Sequence, residues 1–183
     1  MVTGDHQDPF AKALIAHLPR LRSYATALTG SVSAADDLVQ DCMERALKRA
    51  DTLQDSKRMA GWLRSILLNL YIDLVRLQRS RGIGIDITQV DNDLAISASP
   101  SDRGAAIDFM RALNGLSVEH RQILLLVGLE GLSYREVADE LGIPMGTVMS
   151  RLARARERLR HALEKEEILD PAEQQPSGRR VER

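Results

Sequence analysis

The arginines between Arg151 and Arg160 are the side chains whose type and spacing best indicate a chemistry. Five of them fall within ten residues and are accompanied by a single acid, Glu157. They are Arg151, Arg154, Arg156, Arg158 and Arg160. Guanidinium groups bind phosphates and form paired hydrogen bonds with guanine in the major groove. The cluster predicts DNA binding, and its alternative is a solvated basic face on an ordinary helical bundle.

The segment before these arginines indicates how they are positioned. Ser133 and Glu136 have the spacing of a capping box, Gly142 suits the left-handed residue that ends a helix, and Pro144 suits the start of the next one. That second helix has an apolar stripe formed by Val148, Leu152, Ala155 and Leu159. Its outward-facing side chains are then Met145, Thr147, Met149, Ser150, Arg151 and Arg154. Together these features predict a helix-turn-helix, which favours DNA binding over a merely solvated helix.

Composition limits the remaining possibilities. The 183 residues suit one domain or two small ones, and the scarcity of aromatic residues, at 3%, indicates an aliphatic and helical core. The one cysteine, Cys42, lies on the inner face of its predicted helix, excludes an internal disulfide and fits a reducing compartment. Without a signal peptide or a long apolar stretch, we expect a cytoplasmic protein with no membrane insertion. The net charge of −1 conceals acidic and basic clusters that predict separate surfaces for protein and for DNA.

Hydrophobic periodicity predicts an all-α fold made of two small helical domains joined by a flexible linker, with the helix-turn-helix in the C-terminal domain. In the first domain, residues 10–81, we expect Pro19 to kink or divide the first helix and Ser33 to cap the second. The predicted helices of this domain cover 10–29, 34–50 and 60–80, with a polar loop over 51–59. The second domain covers 105–163, with helices over 105–113 and after Ser117 preceding the helix-turn-helix.

Two segments lack helical periodicity. Residues 82–104 contain glycines and acids, so we expect a flexible acidic linker between the domains. Residues 164–183 are polar and contain two prolines, which predicts a frayed helical end followed by a disordered tail.

The residues give no indication of an enzyme or of a cofactor. The four histidines are scattered without metal-ligand spacing, and they are His6, His17, His120 and His161. Gly82 and Gly84 lack the lysine and the strand-helix context of a phosphate-binding loop, and no nucleophile elbow is present. We therefore expect the protein to act by binding, with no catalytic residues and no metal site.

The sequence resembles the small, two-domain sigma factors of the extracytoplasmic-function group (group 4) of the sigma-70 family. Four stretches carry the resemblance, which covers about residues 10–163. They are ADDLVQDCMERAL at 35–47, GWLRSILLNLYIDLVR at 61–76, LSVEHRQILLLVGLEGLSYREVADELGIP at 116–144 and GTVMSRLARARERLR at 146–160. The resemblance implies a factor that binds RNA polymerase core and directs promoter recognition and melting.

The resemblance also implies roles for particular residues. Those matching the surface that docks on polymerase core are Asp37, Gln40 and Asp41. Those matching the helix that meets the minus-10 element are Asn69, Asp73, Arg76 and Arg79, although Asp73 and Arg76 also have the spacing of a routine surface ion pair. Those matching the reader of the minus-35 element are Thr147, Ser150, Arg151 and Arg154. The loop 51–59 corresponds to the segment that pockets a flipped base, and the linker to a segment inside the polymerase channels.

Two departures from the family pattern affect these roles. Met149 stands where many relatives have lysine, which removes one possible phosphate or base contact. Aromatic residues are sparse in the melting region, where Trp62 and Tyr71 are present and Trp62 has the apolar neighbours of a packing residue. This pattern suits a factor that melts DNA weakly.

The sequence leaves open which kind of anti-sigma factor regulates the protein, and it is also compatible with two other classes of protein. The N-terminal stretch 19–47 is similar to the general-stress-response subgroup, usually held by a small soluble anti-sigma factor, whereas other relatives answer to membrane-anchored ones. One alternative is a stand-alone helix-turn-helix regulator that binds palindromic DNA as a dimer. A second alternative is a sigma mimic that sequesters an anti-sigma factor.

Overall fold

The computed structural model of the chain describes residues 9–81 and 103–169. Within these ranges the structure contains seven α-helices and no strand, which confirms the all-α prediction. The helices are α1 (Pro9–Thr29), α2 (Val32–Lys48), α3 (Met59–Ser80), α4 (Arg103–Asn114), α5 (Val118–Gly128), α6 (Tyr134–Leu141) and α7 (Met145–Leu169). Two short 3-10 turns, Ala50–Thr52 and Ser56–Arg58, connect α2 to α3.

The first three helices pack against one another around an aliphatic core. Tyr24 and Leu28 of α1, Cys42 of α2 and Leu67 of α3 are all almost completely buried. The sulfur of Cys42 lies 3.5 Å from the carbonyl oxygen of Leu63, and burial raises the pKa of this thiol to about 12. The prediction that Cys42 is a core residue is therefore confirmed.

Two details at the ends of these helices differ from the sequence predictions. Helix α1 runs unbroken through Pro19, so this proline does not divide it. The cap of α2 is Ser31 rather than Ser33, because the Ser31 hydroxyl accepts a hydrogen bond from the amide of Ala34 at 3.3 Å. The helix starts at Val32, so its first turn contains no acid, and the carboxylate of Asp36 pairs with Arg22 of α1.

The segment predicted as a loop over 51–59 is partly ordered by the two 3-10 turns. The side chain of Asp55 accepts a hydrogen bond from the amide of Lys57 at 2.9 Å and so begins the second turn. Met59 already belongs to α3, and its side chain is buried. The polar segment is thus held close to the start of α3.

The predicted linker and tail fall largely outside the described residues. Helix α4 begins at Arg103, two residues before the predicted start of the second domain, so the linker prediction concerns mainly 82–102. Helix α7 extends to Leu169, six residues past the predicted end of that domain. Within the described ranges, none of the helices combines the length and apolarity needed to cross a bilayer.

The two helical groups share one hydrophobic core. Helix α1 contacts both α4 and α5, and the buried apolar residues of α1–α3 are continuous with those of α4–α7. Helix α7 packs against α4, α5 and α6, which fixes the helix-turn-helix on this common body.

Candidate nucleic-acid interfaces

The first helix of the predicted helix-turn-helix is fixed at both ends. The Ser133 hydroxyl accepts a hydrogen bond from the amide of Glu136 at 3.3 Å, and the Glu136 carboxylate accepts one from the amide of Ser133 at 2.8 Å. Hydrogen bonds from Ser133 lower the pKa of Glu136. Gly142 ends the helix at φ 62° and ψ 33°, in the left-handed region. The predicted capping box and the glycine terminus are both confirmed.

The second helix presents its N-terminal part to solvent. Val148, Leu152 and Ala155 are buried and Leu159 is half-buried against the same core, which confirms the predicted apolar stripe. The carbonyl oxygen of Pro144 accepts a hydrogen bond from the amide of Thr147 at 2.8 Å, so the helix begins directly after this proline. The side chains on the opposite face that are exposed are Met145, Met149, Ser150 and Arg154, while Thr147 and Arg151 are half-buried.

The basic face of α7 continues onto the start of α5. A guanidinium nitrogen of Arg158 lies 3.4 Å from Nδ1 of His120, which is also 3.0 Å from the Ser117 hydroxyl. Burial and the positive charge of Arg158 lower the pKa of His120, so its neutral form is favoured beside these arginines. Arg154 and Arg158, at i+3 and i+7 from Arg151, share its side of α7 and are exposed, whereas Arg156 and Arg160 are exposed on another side of the helix. The face can hold phosphates along its length.

Helix α2 carries a contrasting, acidic face. Asp37, Gln40 and Asp41 share one side of the helix at i, i+3 and i+4, and all three are exposed. Leu38 and Cys42 are buried on the opposite side. DNA phosphates would repel the two carboxylates of this face, so its chemistry suits a basic protein surface.

Helix α3 brings Asn69, Asp73 and Arg76 to one exposed face, as their spacing predicts. An oxygen of Asp73 lies 3.9 Å from a guanidinium nitrogen of Arg76, and both side chains are more than 60% exposed. A surface pair of this kind contributes well under about 1 kcal/mol, so both groups are free to contact a ligand. Arg79 lies in the same helix, and the described structure does not extend to its side chain.

A cleft of about 500 Å³ lies beside Asn69, between the end of α2 and the start of α3. Its lining combines three cations and one acid with one aromatic ring and includes Arg45, Lys48, Arg49, Asp51, Thr52, Trp62, Ser65 and Asn69. The indole nitrogen of Trp62 donates a hydrogen bond to the Thr52 hydroxyl at 3.2 Å, and the ring also packs edge-on against Phe10 with centroids 6.2 Å apart. An aromatic ring in a cleft that also carries cations is a usual combination for holding an unpaired base and its phosphates.

The sequence predictions included part of this cleft and missed the rest. The resemblance assigns a base pocket to the segment 51–59, of which Asp51 and Thr52 line the cleft, and it assigns Asn69 to the helix that meets the minus-10 element. The apolar neighbours of Trp62 predict a packing residue. The contact with Phe10 agrees with packing, yet one side of the ring also lines the cleft. Arg45, Lys48 and Arg49 do not belong to the predicted site, although three cations at the end of a predicted helix are a signal in the sequence.

Comparison with family models identifies both halves of the chain. Residues 106–159 match the model described as sigma-70, region 4, and residues 14–68 match the model described as the Sigma2 domain of PhyR. In the part of the chain that the structure describes, no group of three histidine, cysteine or acidic side chains could hold a metal ion. The all-α fold, the charged surfaces of its helices and the two family models together define a transcription factor of the sigma-70 class.

Individual relatives narrow the class further. The chain is 33% identical over 156 residues to the ECF RNA polymerase sigma factor EcfG of Rhodopseudomonas palustris, covering 83% of each. It is 34% identical over 152 residues to the ECF RNA polymerase sigma factor SigL of Mycobacterium tuberculosis, covering 81% of this chain and 85% of SigL. The chain therefore belongs to the extracytoplasmic-function family of RNA polymerase sigma factors, which are transcription initiation factors.

A solved structure has the same fold. It is that of the sigma factor RpoE from Bartonella quintana, crystallised in complex with the anti-sigma factor NepR. The similarity has a TM-score of 0.68 at 33% sequence identity, and it covers 85% of this chain and 96% of the other.

Proposed function

We propose that this sigma factor binds polymerase core through α2, opens promoter DNA through α3 and the neighbouring cleft, and reads an upstream element through α7. The observation that carries the proposal is the separation of charge among exposed faces. The α2 face is acidic, the α7 face is basic, and the described α3 face combines an amide, a carboxylate and the guanidinium of Arg76. Each face is complementary to a different partner of a transcription initiation complex.

The α2 face serves as the core-binding surface in this proposal. Asp37 and Asp41 are exposed and lie on a helix whose other side is anchored in the core by Leu38 and Cys42. A rigid acidic helix can form charge-assisted hydrogen bonds with a basic surface of core polymerase. Gln40, between the two acids, adds a neutral hydrogen-bonding group.

The α3 face and its cleft serve as the melting surface for the minus-10 element. Extruding a base from the duplex costs a few kcal/mol, which contacts made only by the extruded base offset. Trp62 offers a stacking surface, and Arg45 and Lys48 can bind the adjoining phosphates. The side chains that follow the strand along α3 are Asn69, Asp73, Arg76 and Arg79.

The start of α7 serves as the reader of the minus-35 element. In a helix-turn-helix, the N-terminal part of the second helix enters the major groove. Arg151 and Arg154 can bond guanine or phosphate there, while Thr147 and Ser150 supply shorter hydrogen-bonding groups. The exposed Met149 contributes no charge, so backbone attraction depends on the arginines.

We also propose that an anti-sigma factor controls the protein. The solved relative was crystallised with the anti-sigma factor NepR, and the relative in Rhodopseudomonas palustris is EcfG. These similarities favour the general-stress-response subgroup and a soluble anti-sigma partner. Because polymerase and promoter DNA reside in the bacterial cytoplasm, the protein acts there, by binding rather than by catalysis.

The stand-alone regulator is a weaker interpretation. A regulator that binds duplex DNA without polymerase has no use for the acidic face at Asp37 and Asp41. The family match over both halves of the chain also favours a polymerase subunit over an independent DNA-binding protein.

A charge reversal on α2 tests the proposed core-binding surface. Asp37→Arg combined with Asp41→Arg should reduce affinity for purified core polymerase by more than about tenfold, because it replaces attraction with repulsion. Glu157→Arg combined with Glu164→Arg is the matched control, since it makes the same change in net charge on α7. Core affinity that stays normal in the α2 variant, with its helical circular dichroism intact, would contradict the proposal.

A further inference from the structure

Two methionines are exposed at the N-terminal end of α7. Met145 is 52% exposed and Met149 is 50% exposed, although methionine is among the residues most often buried in proteins. They are four positions apart in one helix, so their side chains are neighbours on the same face. Together they form an apolar surface that we call the methionine strip.

The methionine strip occupies one flank of the exposed face of α7, and polar side chains occupy the other. Successive residues of an α-helix are about 100° apart, so Met149 and Arg151 project about 160° from each other, on either side of Ser150. Thr147 and Arg154 share the flank of Arg151, and Ser150 is exposed between the two flanks. This end of the helix therefore combines an apolar flank with a hydrogen-bonding flank.

The packing of α7 holds the strip in this orientation. Val148 and Leu152 are buried on the inner side of the helix, which fixes its rotation about its own axis. The amide of Val148 donates a hydrogen bond to the carbonyl oxygen of Pro144 at 3.2 Å, which fixes the first turn. The backbone of the strip is thus rigid, whereas the unbranched methionine side chains can adjust to a contacting group.

The major groove of DNA contains one kind of group that is complementary to an apolar strip. Among the four bases, thymine alone places a methyl group there, and 5-methylcytosine carries a methyl at the same C5 position. The other groups on the base edges are hydrogen-bond donors and acceptors, which a thioether satisfies poorly. Phosphates are charged and gain nothing from an apolar partner. The C5-methyl group of a pyrimidine is therefore the part of DNA that suits the strip.

We propose that the methionine strip is a specificity site that binds the C5-methyl group of a pyrimidine in the upstream element. The inference rests on the proposed DNA-reading role of α7 and deepens it, because it gives the apolar flank of this helix a part in selecting sequence. The arginines of the other flank bond purine edges or phosphates, whereas the strip distinguishes a methylated pyrimidine from an unmethylated one.

Burial of the methyl group against the strip supplies this preference. Removing one buried methyl group from an apolar contact changes an equilibrium constant by about fourfold. The same contact takes part of both methionine side chains out of water, which favours any DNA site that presents a methyl group there. The strip thus adds a modest preference at one or two positions to the attraction that the arginines supply.

Missing-methyl interference tests the proposal. The full chain, assembled with polymerase core, is bound to a promoter fragment that supports run-off transcription and in which uracil replaces a fraction of the thymines. Uracil lacks only the methyl group, and cleavage at uracil maps the positions where this loss weakens binding. We expect uracil to be depleted from the bound fragments at one or two upstream positions. A duplex with uracil at one of these positions should bind about fourfold more weakly.

Variants of the strip identify the residues responsible. Met145→Gln and Met149→Gln keep the length of the side chain but replace the thioether with a polar amide. Both variants should still bind the promoter, with less discrimination between thymine and uracil at the mapped positions. Ile15→Gln is the matched control, because Ile15 of α1 is 59% exposed and belongs to none of the proposed DNA-binding or core-binding faces. This control should keep the full preference for thymine.

A methylated duplex distinguishes the two sources of the methyl group. The same fragment is prepared with 5-methylcytosine in place of cytosine and bound to the unmodified protein and to Met149→Gln. Depletion of uracil at a thymine identifies thymine as the partner of the strip. Tighter binding of the methylated fragment by the unmodified protein alone, without any effect of uracil, identifies 5-methylcytosine.

Three results would overturn the proposal. One is equal uracil content in bound and free fragments together with no effect of cytosine methylation. Another is a thymine preference that persists unchanged in both methionine variants. The third is loss of self-association in these variants, measured by sedimentation, with no effect on methyl discrimination, because a second copy of the chain would then cover the strip.

Failure of the proposed function gives a different result. If α7 does not read the upstream element, Arg154→Ala binds the promoter as tightly as the unmodified protein. If Arg154→Ala weakens binding and neither uracil nor cytosine methylation has an effect, the reading role of α7 stands and only the methyl-binding site fails.

Discussion

The guanidinium of Arg121 in α5 lies 2.9 Å from the hydroxyl oxygen of Tyr71 in α3, although the two residues are 50 positions apart in the sequence. The other acceptors of Arg121 are backbone carbonyls, including those of Leu28 and Asn114 near the ends of α1 and α4. Helix C-termini carry partial negative charge, so these carbonyls stabilise a buried cation. Burial still lowers the pKa of Arg121, which shows that its desolvation is not fully offset.

Replacing Arg121 should destabilise the folded chain. Arg121→Met leaves two helix-end carbonyls and the Tyr71 hydroxyl without this donor, and we expect the free energy of unfolding to fall by about 2–3 kcal/mol. Tyr71→Phe removes one hydrogen bond and should lower it by about 1 kcal/mol. Urea denaturation measures both changes, and Arg135→Met, at an exposed position in α6, is the control. Equal midpoints for Arg121→Met and the control would mean that the buried contacts contribute nothing.

Truncating the arginines that we propose read the upstream element should weaken binding to it. Arg151→Ala or Arg154→Ala should lower affinity for the minus-35 duplex by about 1–3 kcal/mol if each contact is bidentate to guanine. The measurement is fluorescence anisotropy with the matched element and with a mutated one. Arg160→Ala, further along the helix and paired with Glu164 at 3.7 Å, is the control. Loss of the same size on both duplexes would show that the arginines contact phosphate rather than bases.

Removing the amide of Asn69 should impair promoter opening while leaving upstream binding intact. Asn69→Ala takes one polar group from the face that we propose meets the melted strand, so we expect open complexes to form several-fold more slowly. Permanganate footprinting of the polymerase complex follows the opening directly. A promoter with an unpaired minus-10 region should largely restore transcription, because the template has already been opened. A defect equally severe on that template would place Asn69 outside the opening step.

A lysine in place of Met149 should increase attraction to DNA without adding sequence preference. Met149 is 50% exposed on α7 beside Ser150, so a cation there can reach a phosphate. One extra phosphate contact should make the slope of log affinity against log salt more negative by about 0.9. Binding measured from low to moderate salt gives that slope, with Met149→Gln as the uncharged control. An unchanged slope would show that this position faces away from the backbone.

Features fixed by local chemistry were predictable from sequence. The capping box at Ser133, the left-handed Gly142 and the buried stripe on α7 each depend on residues within one or two helical turns. The sequence predicts Ser33 as the cap of α2 because either serine can precede a helix, whereas in the structure it is the Ser31 hydroxyl that accepts the amide of Ala34. Helix termini are the least determined part of such patterns.

Contacts between the domains were not predictable in the same way. Arg64 meets Glu130 and Glu140 across 66 and 76 positions, and no local pattern pairs residues that far apart. Arg121 did give a signal, since it lies four residues before the buried Leu125 and so shares its inward face. The cleft beside Trp62 was predictable only in part. The resemblance indicates a base pocket at 51–59, whereas only the structure shows that Arg45, Lys48 and Arg49 line the same cleft.

The most direct test of the central claim is co-elution of the purified protein with bacterial RNA polymerase core, followed by run-off transcription from genomic fragments in the same mixture. We expect a stable complex with core and transcripts whose start sites share one upstream and one downstream element. A protein that does not bind core polymerase but binds duplex DNA by itself would contradict the sigma-factor account and favour a stand-alone regulator. A protein that does neither would favour a mimic that binds an anti-sigma factor.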